Sequence, residues 1–338
     1  MTRDSVGVRR WMRAWWAYAL AALGVVLAVP IHSAASAAPH AEARDGARIT
    51  RVAMVTPTRA TVTVFSPAMR KSISVTVLLP ADRTRPVPTL YLLDGIDAGV
   101  YTRYTESGWT THTDVVRFMA DKPVNVVLPI GGTASYYTDW NATDPVLGRN
   151  KWETFLTTEL PPLIDQRFGG NGVNALGGLS MGALGAMAIA VRHPSLYGGV
   201  AAFSGCLDLG SPEMRRATAG TVQTRGGNPD NMWGDITDAE WAVHDPAEHI
   251  SALKGKALYV SSGNGLPDPS LGLAGLASPV GGILEGVVQR CTVEFKRRAD
   301  RAGVAVTYHF REGLHSWGYW NQDLHRAWPT LARALGVR

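Results

Sequence analysis

The sequence predicts an α/β fold with a mostly parallel central sheet and helices on both faces. Three observations lead to this class. Apolar strand-like runs alternate with helix-like runs along most of the chain, which is typical of a sheet with helical crossovers. One predicted strand–helix junction carries the run Gly178-Leu179-Ser180-Met181-Gly182. An apolar N-terminal segment is followed by about 300 residues, enough chain for one large core.

The first half of the chain begins with short β-rich runs separated by turn residues, a pattern typical of antiparallel strands. Two buried strands and a helical stretch follow, and a proline pair at 161 and 162 is expected to interrupt that helix. The predicted strands are Ile49 to Val55, Thr61 to Phe65, Ser72 to Leu79, Pro88 to Leu93 and Val124 to Pro129, and the helical stretch is Trp152 to Phe168.

The second half alternates more regularly. A strand and a helix of small residues flank the Ser180 run, and a long stretch rich in Gly, Pro and Trp is predicted to be irregular. The predicted elements are the strand Val173 to Gly177, the helix Ala183 to Val191, the strand Gly199 to Phe203, the irregular stretch Ser204 to Ile250, the strand Ala257 to Val260, the helix Ile283 to Ala302, the strand Val304 to Phe310 and the helix Gln322 to Leu335.

Residues 1–37 have the pattern of a secretory signal. Arg9, Arg10 and Arg13 precede an apolar run from Ala14 to Pro30, and Ala35-Ser36-Ala37 is a cleavage site of the A-x-A type. The alternative is a retained anchor, for which the apolar run is only marginally long enough. We expect a secreted or cell-envelope protein with a signal at 1–37, a disordered leader at 38–48 and one domain at 49–338.

Charge and cysteine content limit the function classes. The chain carries a formal charge of +5. Residues 1–37 contain four arginines and one aspartate, so the remainder is about +2. No basic run suggests a nucleic acid partner, and no Cys/His cluster has zinc spacing, so neither a metal nor a cofactor is expected. Cys206 and Cys291 are expected to form a disulfide in an exported chain, with two buried thiols as the alternative.

The run around Ser180 fits the nucleophile elbow of α/β-hydrolases, in which a serine is held on a sharp strand-to-helix turn. Glycines two residues either side allow the strand and helix to approach closely. A glycine-rich turn without chemistry is the alternative. The oxyanion hole needs two backbone N–H groups, and Met181, at the start of the elbow helix, offers one. The second is expected from the loop Asp94 to Asp97.

A serine nucleophile also needs a base and an acid, and their order in this fold is Ser, acid, His. His315 follows the last predicted strand and is the candidate base. Asp268 follows the strand that usually precedes the acid, Glu285 opens the next helix, and Asp208 follows the Phe203 strand. The residue pattern alone does not choose among these three acids.

Longer runs are more specific than the elbow and occur in one order over about residues 50–330. They are Tyr91-Leu92-Leu93-Asp94-Gly95, Ser135-Tyr136-Tyr137-Thr138-Asp139-Trp140, Lys151-Trp152-Glu153-Thr154-Phe155-Leu156, Asn231-Met232-Trp233-Gly234, Gly263-Asn264-Gly265 and His315-Ser316-Trp317-Gly318-Tyr319-Trp320. In these runs the chain resembles the antigen 85 family of mycolyltransferases, including the corynebacterial-type members.

The resemblance implies an α/β-hydrolase domain that transfers a mycolyl group through a mycolyl-serine intermediate. The implied partners are trehalose mono- and dimycolate, arabinogalactan and an envelope lipid surface, and the chain is expected to be a monomer. A carboxylesterase or thioesterase of the same fold is an alternative function. A relative that binds carbohydrate or host matrix without catalysis is another.

The resemblance also assigns residues. It implies Ser180 as nucleophile, His315 as base and Glu285 rather than Asp268 as acid, and it implies Ile96 and Met181 amides for the oxyanion and Asp94 and Trp317 in the trehalose pocket.

Two positions depart from the family pattern. Asp97 stands where an arginine that contacts the sugar is usual, and Ser262 stands where the best-known members carry a cysteine. Cys206 and Cys291 resemble a pair in corynebacterial-type members.

Overall fold

The central feature of the computed structural model, which describes residues 46–268 and 279–338, is one mixed sheet. In those residues nine strands are found: β1 (Arg48–Thr56), β2 (Arg59–Ser66), β3 (Lys71–Leu78), β4 (Val87–Leu93), β5 (Asn125–Ile130), β6 (Gly170–Leu179), β7 (Tyr197–Phe203), β8 (Ala257–Gly263) and β9 (Thr307–Arg311). Their order is β1-β2-β3-β5-β4-β6-β7-β8-β9. The pairs β1–β2, β2–β3 and β3–β5 are antiparallel and the others parallel, which confirms the predicted class.

The helices cover both faces of this sheet. They are α1 (Gly108–His112), α2 (Val115–Phe118), α3 (Trp152–Thr154), α4 (Leu160–Phe168), α5 (Met181–Arg192), α6 (Pro212–Gln223), α7 (Asp230–Trp233), α8 (Glu240–Val243), α9 (Pro279–Ala302) and α10 (Trp317–Leu335). One buried cluster lies between the sheet and α4 to α6, and a second lies between the sheet and α10. Among the described residues, no helix has both the length and the hydrophobicity needed to cross a bilayer.

Several boundaries differ from the predictions. β1 begins at Arg48, inside the segment assigned to the leader, because Arg48 pairs with Phe65 of β2. The rest of that leader up to residue 45, and the whole signal segment, lie outside the described residues. Helix α6 occupies part of the stretch predicted to be irregular, and α9 and α10 begin four and five residues earlier than predicted, at Pro279 and Trp317.

The proline pair follows a change of helix type and does not break the helical path of the chain. A π-helical turn, Phe155–Glu159, separates α3 from α4, and Pro161 and Pro162 then lie in the first turn of α4. Helical N–H groups in a first turn have no partner within the helix, so proline is tolerated there.

The Lys151–Leu156 run has a structural role. Trp152 is fully buried, and Glu153 Oε1 accepts bonds from Arg192 Nε (2.7 Å) and lies 2.8 Å from His193 Nε2. These contacts fix α3 against the C-terminal end of α5. The hydrogen bonds of His193 and Arg192 hold the pKa of the buried Glu153 below its usual value despite desolvation.

The strand register brings the functional segments together. Leu93 is level with Gly178, Leu179 with Phe203, and Phe203 with Ser261. The carboxyl ends of β4, β6, β7 and β8 therefore form one edge of the sheet, where ligand sites of α/β folds are built.

Candidate active site

Ser180 lies at a strained turn between β6 and α5. Its φ is 52° and its ψ −120°, a left-handed conformation that is costly for a residue with a side chain. A Cβ atom at Gly178 would collide with the carbonyl of Gly182, and one at Gly182 would collide with the carbonyl of Asp94. The two glycines therefore permit the close packing that exposes the serine hydroxyl.

The structure brings Ser180, His315 and Glu285 into one hydrogen-bonded chain. Ser180 Oγ lies 2.9 Å from His315 Nε2, and His315 Nδ1 lies 2.7 Å from Glu285 Oε2. With a neutral imidazole, the proton resides on Nδ1 beside the carboxylate, so Nε2 is free to accept the serine proton. This arrangement is able to activate a hydroxyl for attack on an acyl group.

Glu285 is fully buried on α9 and its second oxygen is anchored by two strand ends. Glu285 Oε1 accepts a bond from Ser204 Oγ, just after β7 (2.7 Å), and from the Gly263 N–H at the end of β8 (2.6 Å). Burial on its own raises the pKa of Glu285, but the hydrogen bond and charge of His315, with the Ser204 and Gly263 donors, lower it below the usual value. The carboxylate is thus held ionised.

The other two candidate acids lie in different contacts. The Asp268 backbone N–H donates to Tyr319 Oη at 2.9 Å. Asp208 Oδ2 is 2.7 Å from Arg298 Nε in an ion pair. Both ring nitrogens of His315 are already occupied by Ser180 and Glu285, so neither aspartate is its partner.

The two candidate oxyanion amides border the same space as the serine. Met181 is the first residue of α5, where the N–H groups have no acceptor within the helix. Ile96 follows Gly95, and a Cβ atom at Gly95 would lie 3.7 Å from Ser180 Cβ. The oxyanion loop, defined here as residues 95–99, therefore passes directly over the elbow, and Ile96, Met181 and Ser180 line one cleft.

This cleft has a volume of about 560 Å³, and its lining residues fall into two chemically different groups, which we call its apolar and polar arms. The apolar arm runs between α6 and α9 and is lined by Leu184, Met214, Ala217, Leu284, Val287 and Val288. The polar arm lies beside α1 and is lined by Asp94, Thr111, His112, Ser316 and Trp317. Ser180 and His315 line the same cleft, which therefore offers both apolar and polar contacts to a bound ester.

Asp94 and Trp317 form the centre of the polar arm. Asp94 Oδ2 accepts the Gly108 N–H (3.1 Å), while no donor among the described residues bonds to Oδ1. Burial raises the pKa of Asp94 to about 6, although the nearby Ser107 hydroxyl and the Gly108 and Trp109 N–H groups oppose the shift. The Trp317 ring packs on the His112 ring with centroids 5.0 Å apart.

Asp97 and Ser262, which depart from the family pattern, and the two cysteines each make specific contacts in the structure. Arg225 Nη2 is 2.6 Å from Asp97 Oδ1. Ser262 is buried, and its hydroxyl donates to the Gly263 carbonyl (3.2 Å). Cys206 and Cys291 form a disulfide that joins the segment after β7 to α9, the helix that carries Glu285.

Four residues of this region were not singled out by the sequence. Ser204 holds the Glu285 carboxylate, Arg225 pairs with Asp97, His112 stacks on Trp317, and Tyr137 Oη accepts the Asp94 N–H (3.1 Å). Ser204 carried a usable signal, since it directly follows a predicted parallel strand. In the described parts of the chain, no group of three or more His, Cys, Asp or Glu residues is arranged to hold a metal ion.

Comparisons with known proteins place these observations in a wider group. A family model described as "Putative esterase" matches residues 66–331. The diacylglycerol acyltransferase/mycolyltransferase Ag85B of Mycobacterium intracellulare is 34% identical over 265 residues, covering 74% of this chain and 76% of the relative. The corresponding Ag85A of Mycobacterium tuberculosis is 33% identical over 286 residues, covering 81% and 80%.

Solved structures agree with the fold. The crystal structure of Mycobacterium tuberculosis MPT51 matches with a TM-score of 0.65 at 29% identity, covering 80% of this chain and 96% of that one. An S-formylglutathione hydrolase from Agrobacterium tumefaciens matches with a TM-score of 0.63 at 17% identity, covering 85% and 99%.

Proposed function

The chain belongs to the antigen 85 family of esterase-type acyltransferases, and from this premise we propose that it is a secreted mycolyltransferase. It moves a mycolyl group between trehalose mycolates, or from them to arabinogalactan, through a mycolyl-serine intermediate. The observation that carries the proposal is the Ser180–His315–Glu285 chain, whose Ser180 and His315 line a cleft with both apolar and polar residues. Export is supported by the signal pattern of residues 1–37 and by the disulfide, which is typical of exported proteins.

Acyl transfer proceeds in two half-reactions. Ser180 Oγ attacks the ester carbonyl carbon while His315 Nε2 takes its proton. The tetrahedral intermediate collapses, the sugar oxygen leaves with that proton, and an acyl-serine remains. An acceptor hydroxyl then loses its proton to His315 and attacks the acyl-serine, and Ser180 recovers its proton. Glu285 stabilises the imidazolium at both stages.

The oxyanion of both intermediates is stabilised by the Ile96 and Met181 N–H groups. Each such donor contributes roughly 3 kcal/mol to transition-state stabilisation in comparable sites. The dipole of α5, whose first residue is Met181, adds positive potential at the same point.

The two arms bind different parts of the substrate. The mycolyl chain lies in the apolar arm, where burial of each methylene is worth about 0.8 kcal/mol. The sugar lies in the polar arm, where Asp94 Oδ1 accepts a hydroxyl and the half-buried Trp317 side chain packs against the sugar ring. A dry, well-filled polar arm favours a sugar acceptor over water, which is the property that separates a transferase from an esterase.

The mouth of the cleft suits a lipid surface. Tyr101 and Ile283 are 79% and 72% exposed, and Val280 and Leu284 extend the same apolar border on α9. Tyr101 and Leu284 also line the cleft. An exposed apolar border of this kind favours contact with a lipid layer from which the acyl chain enters.

The test is an acyl-transfer assay on the secreted protein. Trehalose monomycolate is supplied, and trehalose dimycolate and free mycolic acid are separated by thin-layer chromatography. We expect dimycolate from the wild type and a loss of about 10⁴-fold or more in Ser180→Ala. Ser251→Ala, an exposed serine outside the cleft, serves as the control. Free acid without dimycolate would indicate an esterase, and absence of labelling by a fluorophosphonate would indicate a binding protein without catalysis.

A further inference from the structure

The turn after α6 is tied to the oxyanion loop by an ion pair. Arg225 donates to Asp97 Oδ1 from Nε (3.0 Å) and from Nη2 (2.6 Å). The remaining terminal nitrogen, Nη1, donates to Thr224 Oγ1 (3.0 Å). Two donors of a rigid guanidinium therefore fix one carboxylate oxygen, and the contact joins segments that lie 128 residues apart in the chain.

The oxyanion loop needs such a restraint because its backbone is strained. Ala98, just after Asp97, has a φ of 45°, a left-handed conformation that is costly for a residue with a side chain, whereas Gly99 adopts its φ of 93° without such a cost. The loop is held on one side by bonds from the Ala134 N–H to the Ile96 carbonyl (3.0 Å) and from Thr133 Oγ1 to the Asp97 carbonyl (3.1 Å). Arg225 adds a further restraint, through the Asp97 side chain.

Arg225 directly follows a helix that lines the cleft. Met214, Ala217, Thr218 and Thr221 of α6 line the cleft, and Arg225 lies one turn beyond Thr221. The ion pair therefore connects the end of this cleft-lining helix with the loop that carries the Ile96 N–H.

We propose that the Arg225–Asp97 pair is a clasp that holds the Ile96 N–H at its place in the oxyanion hole, and that Arg225 is a positioning residue for acyl transfer. The proposal rests on the proposed function only in needing Ser180 to act on an ester. It assigns Arg225 no contact with the substrate. The clasp should therefore affect turnover of every ester, whatever its acyl chain or acceptor.

The clasp should contribute little to stability. The two side chains are 30% and 34% exposed, and ion pairs at that exposure contribute about 0–1 kcal/mol to the free energy of unfolding. Complete loss of an oxyanion donor lowers kcat by about 10²–10³-fold, so a loosened donor should lower it by about 10-fold. An effect on kcat without an effect on folding distinguishes positioning from a structural role.

The experiment measures hydrolysis of p-nitrophenyl butyrate, whose short acyl group makes few contacts in the apolar arm. The variants are Arg225→Ala, Arg225→Lys, Asp97→Asn and the double variant Arg225→Ala/Asp97→Asn. The matched control is Arg297→Ala, which removes an ion pair with Glu294 (Nη1 to Oε2, 2.9 Å) on the exposed side of α9. Thermal unfolding is recorded for each protein.

We expect each single alanine or asparagine variant to lose about 10-fold in kcat with KM within about 2-fold, because ground-state binding is unchanged. The double variant should lose no more than either single one, because both remove the same contact. Arg225→Lys should recover part of the loss, and Arg297→Ala should match the wild type.

Unchanged kcat in the single variants, losses that add in the double variant, or a rise in KM alone would overturn the clasp. If the wild type hydrolyses the short ester but forms no trehalose dimycolate, the proposed function fails while the kcat ratios still decide the clasp. A wild type that neither hydrolyses the ester nor reacts with a fluorophosphonate would overturn both.

Discussion

Asp94 is a buried carboxylate that is expected to destabilise the folded protein at neutral pH. Its replacement by asparagine measures this effect as a change in the free energy of unfolding. Its side chain is almost completely buried, and one oxygen accepts the Gly108 N–H. Asparagine has the same shape and keeps an acceptor for that bond. Asp94→Asn therefore removes the charge without creating a cavity.

The magnitude follows from the pKa of Asp94, which burial raises from 3.8 to about 6. The folded protein then binds more protons than the unfolded chain between these two values. Stability therefore falls as the pH rises through this window, by about 1.4 kcal/mol for each unit of pKa difference. The total is about 3 kcal/mol, present in full below about pH 4 and lost by about pH 7.

The assay is urea unfolding followed by tryptophan fluorescence at intervals from about pH 4 to pH 8. We expect the free energy of unfolding of Asp94→Asn to equal that of the wild type at the acid end and to exceed it by about 3 kcal/mol at the neutral end. In the same variant, transfer to trehalose should fall while hydrolysis of a short ester is retained, since Asp94 is proposed to bind the acceptor.

A matched control is Asp245→Asn. Asp245 is also fully buried, and burial raises its pKa to about 6, but it lies in contact with Leu209 and Ala247 and does not line the cleft. It should show a similar pH-dependent gain in stability with unchanged transfer. A stability difference for Asp94→Asn that is the same at every pH, or that grows towards acid, would refute the reasoning.

Three other predictions concern the acid, the disulfide and the cleft mouth. Glu285→Gln should keep the fold and lower kcat about 10³-fold or more, measured with a short ester, because the imidazolium loses its counter-charge; a loss below tenfold would contradict the assigned role. Replacing Cys206 and Cys291 by serine should lower the free energy of unfolding by up to about 4–5 kcal/mol, since the bridge closes a loop with a sequence separation of 85, and urea titration showing no change would count against it. Ile283→Ser should weaken co-sedimentation with phosphatidylcholine vesicles containing trehalose monomycolate, whereas Val55→Ser, an exposed residue of β1, should not; equal binding by both variants would exclude Ile283 from the contact.

The sheet was predictable because its inner parallel strands β4, β5, β7 and β8 are almost entirely buried and appear as continuous apolar runs. Helix α6 was missed because its apolar face is weak: only Thr218, Ala219 and Val222 are buried. Its start was nevertheless encoded, since the Ser211 hydroxyl accepts the Met214 N–H (3.2 Å) and Pro212 occupies the first turn. Capping residues gave a signal that the periodicity of apolar residues did not.

Site residues could be predicted where their geometry depends on residues that are close together in the sequence. The elbow depends on five consecutive residues, so Ser180 could be identified from the pattern. The ion pair between Asp97 and Arg225 joins distant segments through a helix that was not predicted. The resemblance to the family therefore marked Asp97 as unusual without indicating its partner.

The residue pattern alone did not choose among Asp268, Glu285 and Asp208 as the acid. Tertiary packing explains why Glu285 is the one that reaches His315. The loop that carries His315 lies so close to the end of β8 that a Cβ atom at Gly263 would collide with the Gly313 carbonyl. The next turn is equally tight, because Gly265 has a φ of 83° and a Cβ atom there would meet the Gly282 carbonyl of α9. The His315 N–H in turn donates to the Gly281 carbonyl at 3.2 Å. Because these contacts are made by glycines, which have no side chain, the start of α9 packs closely against the loop that carries His315. Glu285, one turn further along α9, therefore reaches the imidazole.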